Sequence, residues 1–110
     1  MDWRDQLELE LGRAREALRE ENAGRARASA RRAVWVVVSE YQRRIRQDIY
    51  GRDAMGQLAG IADNDALPEA VRSAADRLRA RLSPDFSSPS LNPLADATLI
   101  IGHFEPLIGP

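Results

Sequence analysis

Residues 24–50 constrain the fold more than any other part of this sequence. Over this stretch the apolar residues recur every three or four positions, which is the repeat of an α-helix with a buried side. The predicted apolar face comprises Ala26, Ala30, Ala33, Val34, Val37, Tyr41, Ile45 and Ile49. Because the repeat continues on both sides of the β-branched run at 34–38, we interpret that run as helix rather than strand. Such a helix would be roughly 40 Å long, and we expect it to run through the centre of the domain.

Four more segments have helical spacing, so the sequence predicts an all-α, up-and-down bundle of about five helices around the long second one. We expect helix one over residues 2–21, helix three over 53–62, helix four from Pro68 to about residue 82, and helix five from Asn92, as N-cap, to Pro106. The predicted stripes are Trp3, Leu7, Leu11, Ala14 and Leu18; Met55, Leu58, Ala59 and Ala62; Val71, Ala74, Ala75, Leu78 and Leu82; and Leu94, Ala97, Ile101 and Phe104, thickened by Leu99 and Ile100. Residues 83–93 predict a loop that Phe86 and Leu91 pin to the core.

The composition argues against most catalytic chemistry. The 110 residues are enough for one domain, covering 1–110, and they contain no cysteine, which excludes disulfides and thiolate chemistry. The only histidine, His103, lies late in helix five, where a capping or surface role is the common one. The carboxylates are scattered, and no glycine-rich phosphate loop is present. We therefore expect no catalytic residues, no metal site and no cofactor. With no signal-like or membrane-spanning run, we expect a cytoplasmic protein.

The charge distribution is uneven although the net charge is only −1. Residues 1–22 carry seven acids and four arginines, whereas residues 23–52 carry eight arginines and two acids. Four of these arginines share one face of helix two, which we name the Arg face: Arg25, Arg32, Arg43 and Arg46. Two interpretations stay open. The Arg face is a solvated surface with ion pairs to Glu40 and helix one, or it binds nucleic acid, a nucleotide or an acidic partner.

Three apolar side chains fall outside the main helical faces: Leu9, Trp35 and Val36. Surplus apolar surface often marks an interface, so we predict that these residues form the interface of a homodimer. The competing explanation is that helix five or the 83–93 loop covers Trp35 within one chain.

Two segments carry a resemblance to a known family: AREAL at residues 14–18 and NAGRARASARRAV at residues 22–34. An Ala- and Leu-rich helix, a Gly-containing turn and a long helix beginning with small residues make this region resemble the opening of HEPN-domain proteins. The later DAMGQL at 53–58, the Pro-led fourth helix and the terminal helix fit the same five-helix plan. The resemblance covers about 90 residues and implies a helical bundle that often dimerises.

The ribonuclease motif of that family, an arginine followed four to six residues later by histidine, does not occur here. His103 has no arginine at that spacing, and Arg44 is followed by Asp48, Ile49 and Tyr50 at the relevant positions. The resemblance therefore implies a noncatalytic role, with partners that in the family include small nucleotidyltransferases. We predict a small interaction module that self-associates and binds a protein partner. The alternative is a nucleic-acid-binding or degenerate ribonuclease-like domain that uses the Arg face.

Overall fold

A computed structural model describes residues 2–80 and 92–109, and the regular secondary structure of these residues is entirely helical. The elements are α1 (Trp3–Arg19), α2 (Ala23–Ile45), α3 (Ala54–Ala62), α4 (Glu69–Arg79) and α5 (Pro93–Ile108). The predicted all-α fold with five helices is thus confirmed for the described part of the chain. The predictions for Leu82, Phe86, Leu91 and most of the 83–93 loop lie outside the described residues.

The long second helix is central, as predicted. α1 packs along one side of α2 and α5 along another, while α3 and α4 pack on each other and α4 also packs on α5. The core that they enclose includes Val34, Val37, Leu58, Ile61, Leu78, Ile100 and Phe104. Because α2 is covered by α1 as well as by the rest of the bundle, its middle is apolar on more than one side.

The C-terminal end of α2 corrects the sequence prediction. The helix ends at Ile45 rather than at residue 50, because Arg46 adopts a left-handed conformation with φ of 57°. The side chain of Gln42 then binds the returning chain, accepting the N–H of Tyr50 at 2.7 Å and donating to the carbonyl of Gly51 at 2.8 Å.

This turn rearranges the apolar residues that follow it. Tyr50 is buried with its ring 5.7 Å from that of Phe104, whereas Ile45 and Ile49, predicted to face the core, are exposed. The prediction that both isoleucines line the main apolar face was wrong, because the chain turns back after Arg46 and buries Tyr50 instead of continuing the helical face.

Two other stripes needed correction. In α3 the buried side chains are Gln57, Leu58 and Ile61, and Met55 is exposed. The face in contact with α2 and α4 is therefore rotated from the one that the sequence indicated. In α5, Leu99 is exposed at 46% and does not thicken the buried stripe.

Pro106 does not end α5, which continues to Ile108. A proline in a helix removes one backbone hydrogen bond and crowds the preceding turn. Here it lies in the last turn, and the residue that the extension brings back to the core, Ile108, is buried. The predicted start of α5 is confirmed, because the side chain of Asn92 accepts the N–H of Ala95 and Pro93 is the first helical residue.

Within the described residues no helix is both long enough and apolar enough to cross a bilayer.

Candidate functional site

A hollow of about 200 Å³ lies on the outer surface between α1 and α2. We name it the α1–α2 hollow. Its lining comes from both helices: Gln6, Leu9, Glu10, Arg13, Arg32, Trp35 and Val36. The structure therefore brings together all three residues that the sequence assigned to an interface, and it adds one residue of the Arg face. The helices meet here because α1 and α2 form a hairpin joined by residues 20–22.

The apolar part of the hollow has an exposed rim and a buried floor. Leu9 is 43% exposed and Trp35 is 39% exposed, while Val36 is only 6% exposed. The competing explanation named helix five or the 83–93 loop as the cover for Trp35; helix five does not line the hollow, and the loop lies mostly outside the described residues. Val36 is largely buried because α1 packs over its side of α2, so its side chain serves mainly the fold and offers only an edge to the hollow.

The indole of Trp35 is held in one orientation. Its Nε1–H donates a 2.8 Å hydrogen bond to the carbonyl of Arg52 in the turn after α2. The guanidinium Nε of Arg52 in turn donates to the carboxylate of Asp48 at 2.9 Å. A tryptophan fixed in this way presents a large apolar surface without needing to be ordered when something binds to it.

A buried carboxylate lies beside the apolar rim. Glu10 of α1 accepts a 2.6 Å hydrogen bond from Arg32 of α2 and a 3.0 Å hydrogen bond from Arg13 of its own helix. Its side chain is only 8% exposed, whereas those of Arg13 and Arg32 are 54% and 53% exposed. The Arg32–Glu10 pair joins α1 to α2. Two guanidinium groups that face solvent therefore surround one buried carboxylate.

All four arginines of the Arg face are exposed, but three of them pair with carboxylates. Arg25 pairs with Glu20 at 2.7 Å, Arg32 with Glu10 and Arg43 with Glu40. These contacts confirm the ion pairs to Glu40 and helix one that the solvated-surface interpretation predicted. Arg46 lies beyond the end of α2 and makes no ion pair with the described residues. Whether the face binds an anion stays a prediction.

Glu40 has the strongest electrostatic perturbation in this region. Hydrogen bonds donated by Arg43, opposed by burial and reinforced by Arg44, lower the pKa of the Glu40 carboxyl from 4.5 to about 2. The partner distances are 2.5 Å to Arg43 and 2.9 Å to Arg44. Because one buried acid balances two arginines, this end of α2 keeps a surplus of positive charge.

Sequence reasoning missed a buried amide cluster behind the turn at residues 46–53. Gln57 is fully buried, and its Nε2 donates to the hydroxyl of Ser39 and to the carbonyl of Gly51, both at 3.1 Å. Gly51 also accepts from Gln42. Helical periodicity could not have revealed it, because Gln57 lies opposite the apolar stripe that the sequence predicts for α3. The cluster anchors the backbone segment that carries Arg52, and so it supports the orientation of Trp35.

Elsewhere among the described residues, Arg77 of α4 pairs with the buried Asp96 of α5 at 2.7 Å. His103 is partly buried, and its ring packs edge-on against Phe104 with centroids 5.0 Å apart. Among the described residues no three histidine, aspartate or glutamate side chains are grouped so that they could hold a metal ion.

Comparisons with known proteins found no matching family model, no matching curated protein and no matching solved structure.

Proposed function

We propose that this protein is a small noncatalytic interaction module that self-associates through the α1–α2 hollow. The observation that carries the proposal is the pair of exposed apolar side chains, Leu9 and Trp35, over the floor made by Val36. Interfaces are commonly organised around a few aromatic and aliphatic anchors, and tryptophan is prominent among them. Because the indole is already held by Arg52, little side-chain entropy is lost when a second copy covers it.

The HEPN resemblance adds support, since proteins of that family often dimerise. In the same proposal, a protein partner of the nucleotidyltransferase kind binds the dimer. This second binding event rests on the resemblance.

A nucleic-acid-binding role for the Arg face is the second candidate. It is favoured by the surplus positive charge at the end of α2, where Arg43 and Arg44 share Glu40 and Arg46 is unpaired among the described residues. It is disfavoured because Arg25, Arg32 and Arg43 are already paired with carboxylates. Phosphates would have to compete with those carboxylates.

Sedimentation of the wild type and of two matched variants tests self-association. Leu9→Asp places a charge at the rim of the hollow, and Leu99→Asp makes the same change on α5, where the exposed fraction is nearly equal at 46% against 43%. We expect a dimer for the wild type and Leu99→Asp, and a shift towards monomer for Leu9→Asp, because burying an unpaired carboxylate is costly. A wild-type monomer at high micromolar concentration would contradict the proposal.

Binding to generic RNA at increasing salt tests the second candidate. Phosphate contacts release counterions, so log K would fall steeply with log salt, and Arg43→Gln with Arg46→Gln would weaken binding. An absence of salt-dependent binding excludes this candidate.

A further inference from the structure

One acid and one base on α1 lie at equal distances on either side of Leu9. Asp5 lies four residues before it and Arg13 four residues after it, so all three lie along one face of the helix. Asp5 is exposed and makes no ion pair with the described residues. Arg13 is exposed too, and its intrachain partner Glu10 is also held by Arg32. From its N-terminal to its C-terminal end, this face of α1 therefore carries an acid, an apolar residue and a base.

An antiparallel arrangement of two such helices is self-complementary. When a two-fold axis runs perpendicular to two antiparallel helices, a residue that precedes the axis on one copy lies opposite a residue on the other copy. That second residue follows the axis by the same number of positions. With the axis at Leu9, Asp5 of each copy lies opposite Arg13 of the other, about 6 Å along the helix from the axis at 1.5 Å per residue. A parallel two-fold arrangement would instead place Asp5 against Asp5 and Arg13 against Arg13.

The next charged positions outward do not oppose this arrangement. Asp2 and Glu16 lie seven residues from Leu9 on either side and would face each other in strictly antiparallel helices. Packed helices commonly cross at an angle of about 50°, which separates positions this far from the crossing point. Glu16 also has its own partner, Arg19. The favourable Asp5–Arg13 pairs therefore lie nearest the crossing point of the two helices, and the two unfavourable Asp2–Glu16 pairs lie outside the contact.

We propose that two copies of this chain associate with their α1 helices antiparallel across a two-fold axis at Leu9, and that two symmetric Asp5–Arg13 ion pairs set this register. This inference rests on the proposed self-association and specifies how the copies are oriented. The α1–α2 hollow then lies beside the crossing point, where Trp35 of each copy is covered by the other.

Charge reversal tests the register. Asp5→Arg and Arg13→Asp each replace two attractive contacts by two repulsive ones, and we expect each to raise the dimer Kd about tenfold or more. The double variant Asp5→Arg with Arg13→Asp restores both pairs, so its Kd returns to near the wild-type value. Mixing the two single variants also restores favourable pairing, and we expect heterodimers in preference to either homodimer. Arg15→Asp, the same change on another face of α1, is the control and leaves the Kd unchanged.

The outcomes separate the register from the self-association that underlies it. A wild-type monomer contradicts both. A wild-type dimer whose Kd is unaffected by Asp5→Arg, or is not restored in the double variant, overturns the register and leaves self-association standing. Helix content measured by far-UV circular dichroism checks that each variant folds. Asp5→Arg removes no ion pair to the described residues, so it remains informative if Arg13→Asp disturbs Glu10.

Discussion

Removing the charge of Glu40 should destabilise the protein in a pH-dependent way. The perturbation is Glu40→Gln, which keeps the size and helix propensity of the side chain and leaves an amide oxygen to accept from Arg43 or Arg44. At about 1.36 kcal/mol per pKa unit, the lowering from 4.5 to about 2 corresponds to roughly 3 kcal/mol. Because the guanidinium groups are 69% and 43% exposed, we reduce this for solvent screening to about 1 to 2 kcal/mol at neutral pH.

The sign of the pH dependence follows from the direction of the shift. The pKa of Glu40 is lower in the folded protein than in the unfolded chain, so the stabilisation is complete above the unfolded value of 4.5 and is lost as the pH falls towards about 2. The variant has no carboxyl to titrate at this position. The difference in the free energy of unfolding between wild type and variant should therefore be largest near neutral pH and fall by more than half by about pH 3.

Urea denaturation at about pH 6 and about pH 3 measures this difference. Other titrating groups affect both proteins alike and largely cancel. The control is Glu8→Gln, a carboxylate that is 73% exposed and 3.9 Å from Arg15, for which we expect a change within about 0.5 kcal/mol. A difference for Glu40→Gln that is equal at both pH values, or larger in acid, would refute the assignment of the stabilisation to the charged form of Glu40.

Three further predictions concern packing and helix ends, each measured by thermal or chemical denaturation. Gly60→Ala should destabilise by about 1 kcal/mol, because its Cβ would lie 3.3 Å from the Cα of Tyr50. Gly102→Ala should stabilise by about 0.5 to 1 kcal/mol, since apart from the adjacent backbone of its own helix no heavy atom would lie within 4 Å of the added Cβ. Equal effects of the two changes would contradict the close approach of α3 to the turn. Asn92→Ala removes the side-chain cap of α5 and should cost about 1 kcal/mol, so an unchanged midpoint would show that the cap is dispensable. Phe104→Ala should cost about 3 to 5 kcal/mol, because this ring is 1% exposed and packs against two tyrosines; a loss under about 1 kcal/mol would place the core elsewhere.

The amino-acid sequence alone predicted the five helices, and it placed the start of α5 correctly. α5 begins as predicted because Asn92 and Pro93 act on adjacent backbone groups and need no distant contact. α2 begins one residue before the predicted Gly24, and there the side chain of Asn22 accepts the N–H of Arg25. The C-terminal ends of helices were predicted less accurately: α2 ends at Ile45 rather than at residue 50, and α5 continues past Pro106 to the buried Ile108.

The candidate site was predictable in its residues but not in its geometry. Leu9, Trp35 and Val36 were recognisable as apolar side chains outside the main faces, because helical periodicity depends only on position in the chain. Their meeting in one hollow depends on how α1 packs against α2. The hydrogen bond from Trp35 to Arg52 depends further on the turn after α2, which no periodicity describes.

Local spacing thus determined the all-α class and the central second helix, since both follow from the 3.6-residue repeat. Long-range contacts decided where α2 ends, that Arg32 of α2 pairs with Glu10 of α1, and how far Val36 is buried. The physical reason is that a side chain such as Gln42 can bind a distant segment more favourably than the continued helix can. That preference depends on Tyr50 reaching Phe104 across the core, a contact between residues 54 positions apart in the chain.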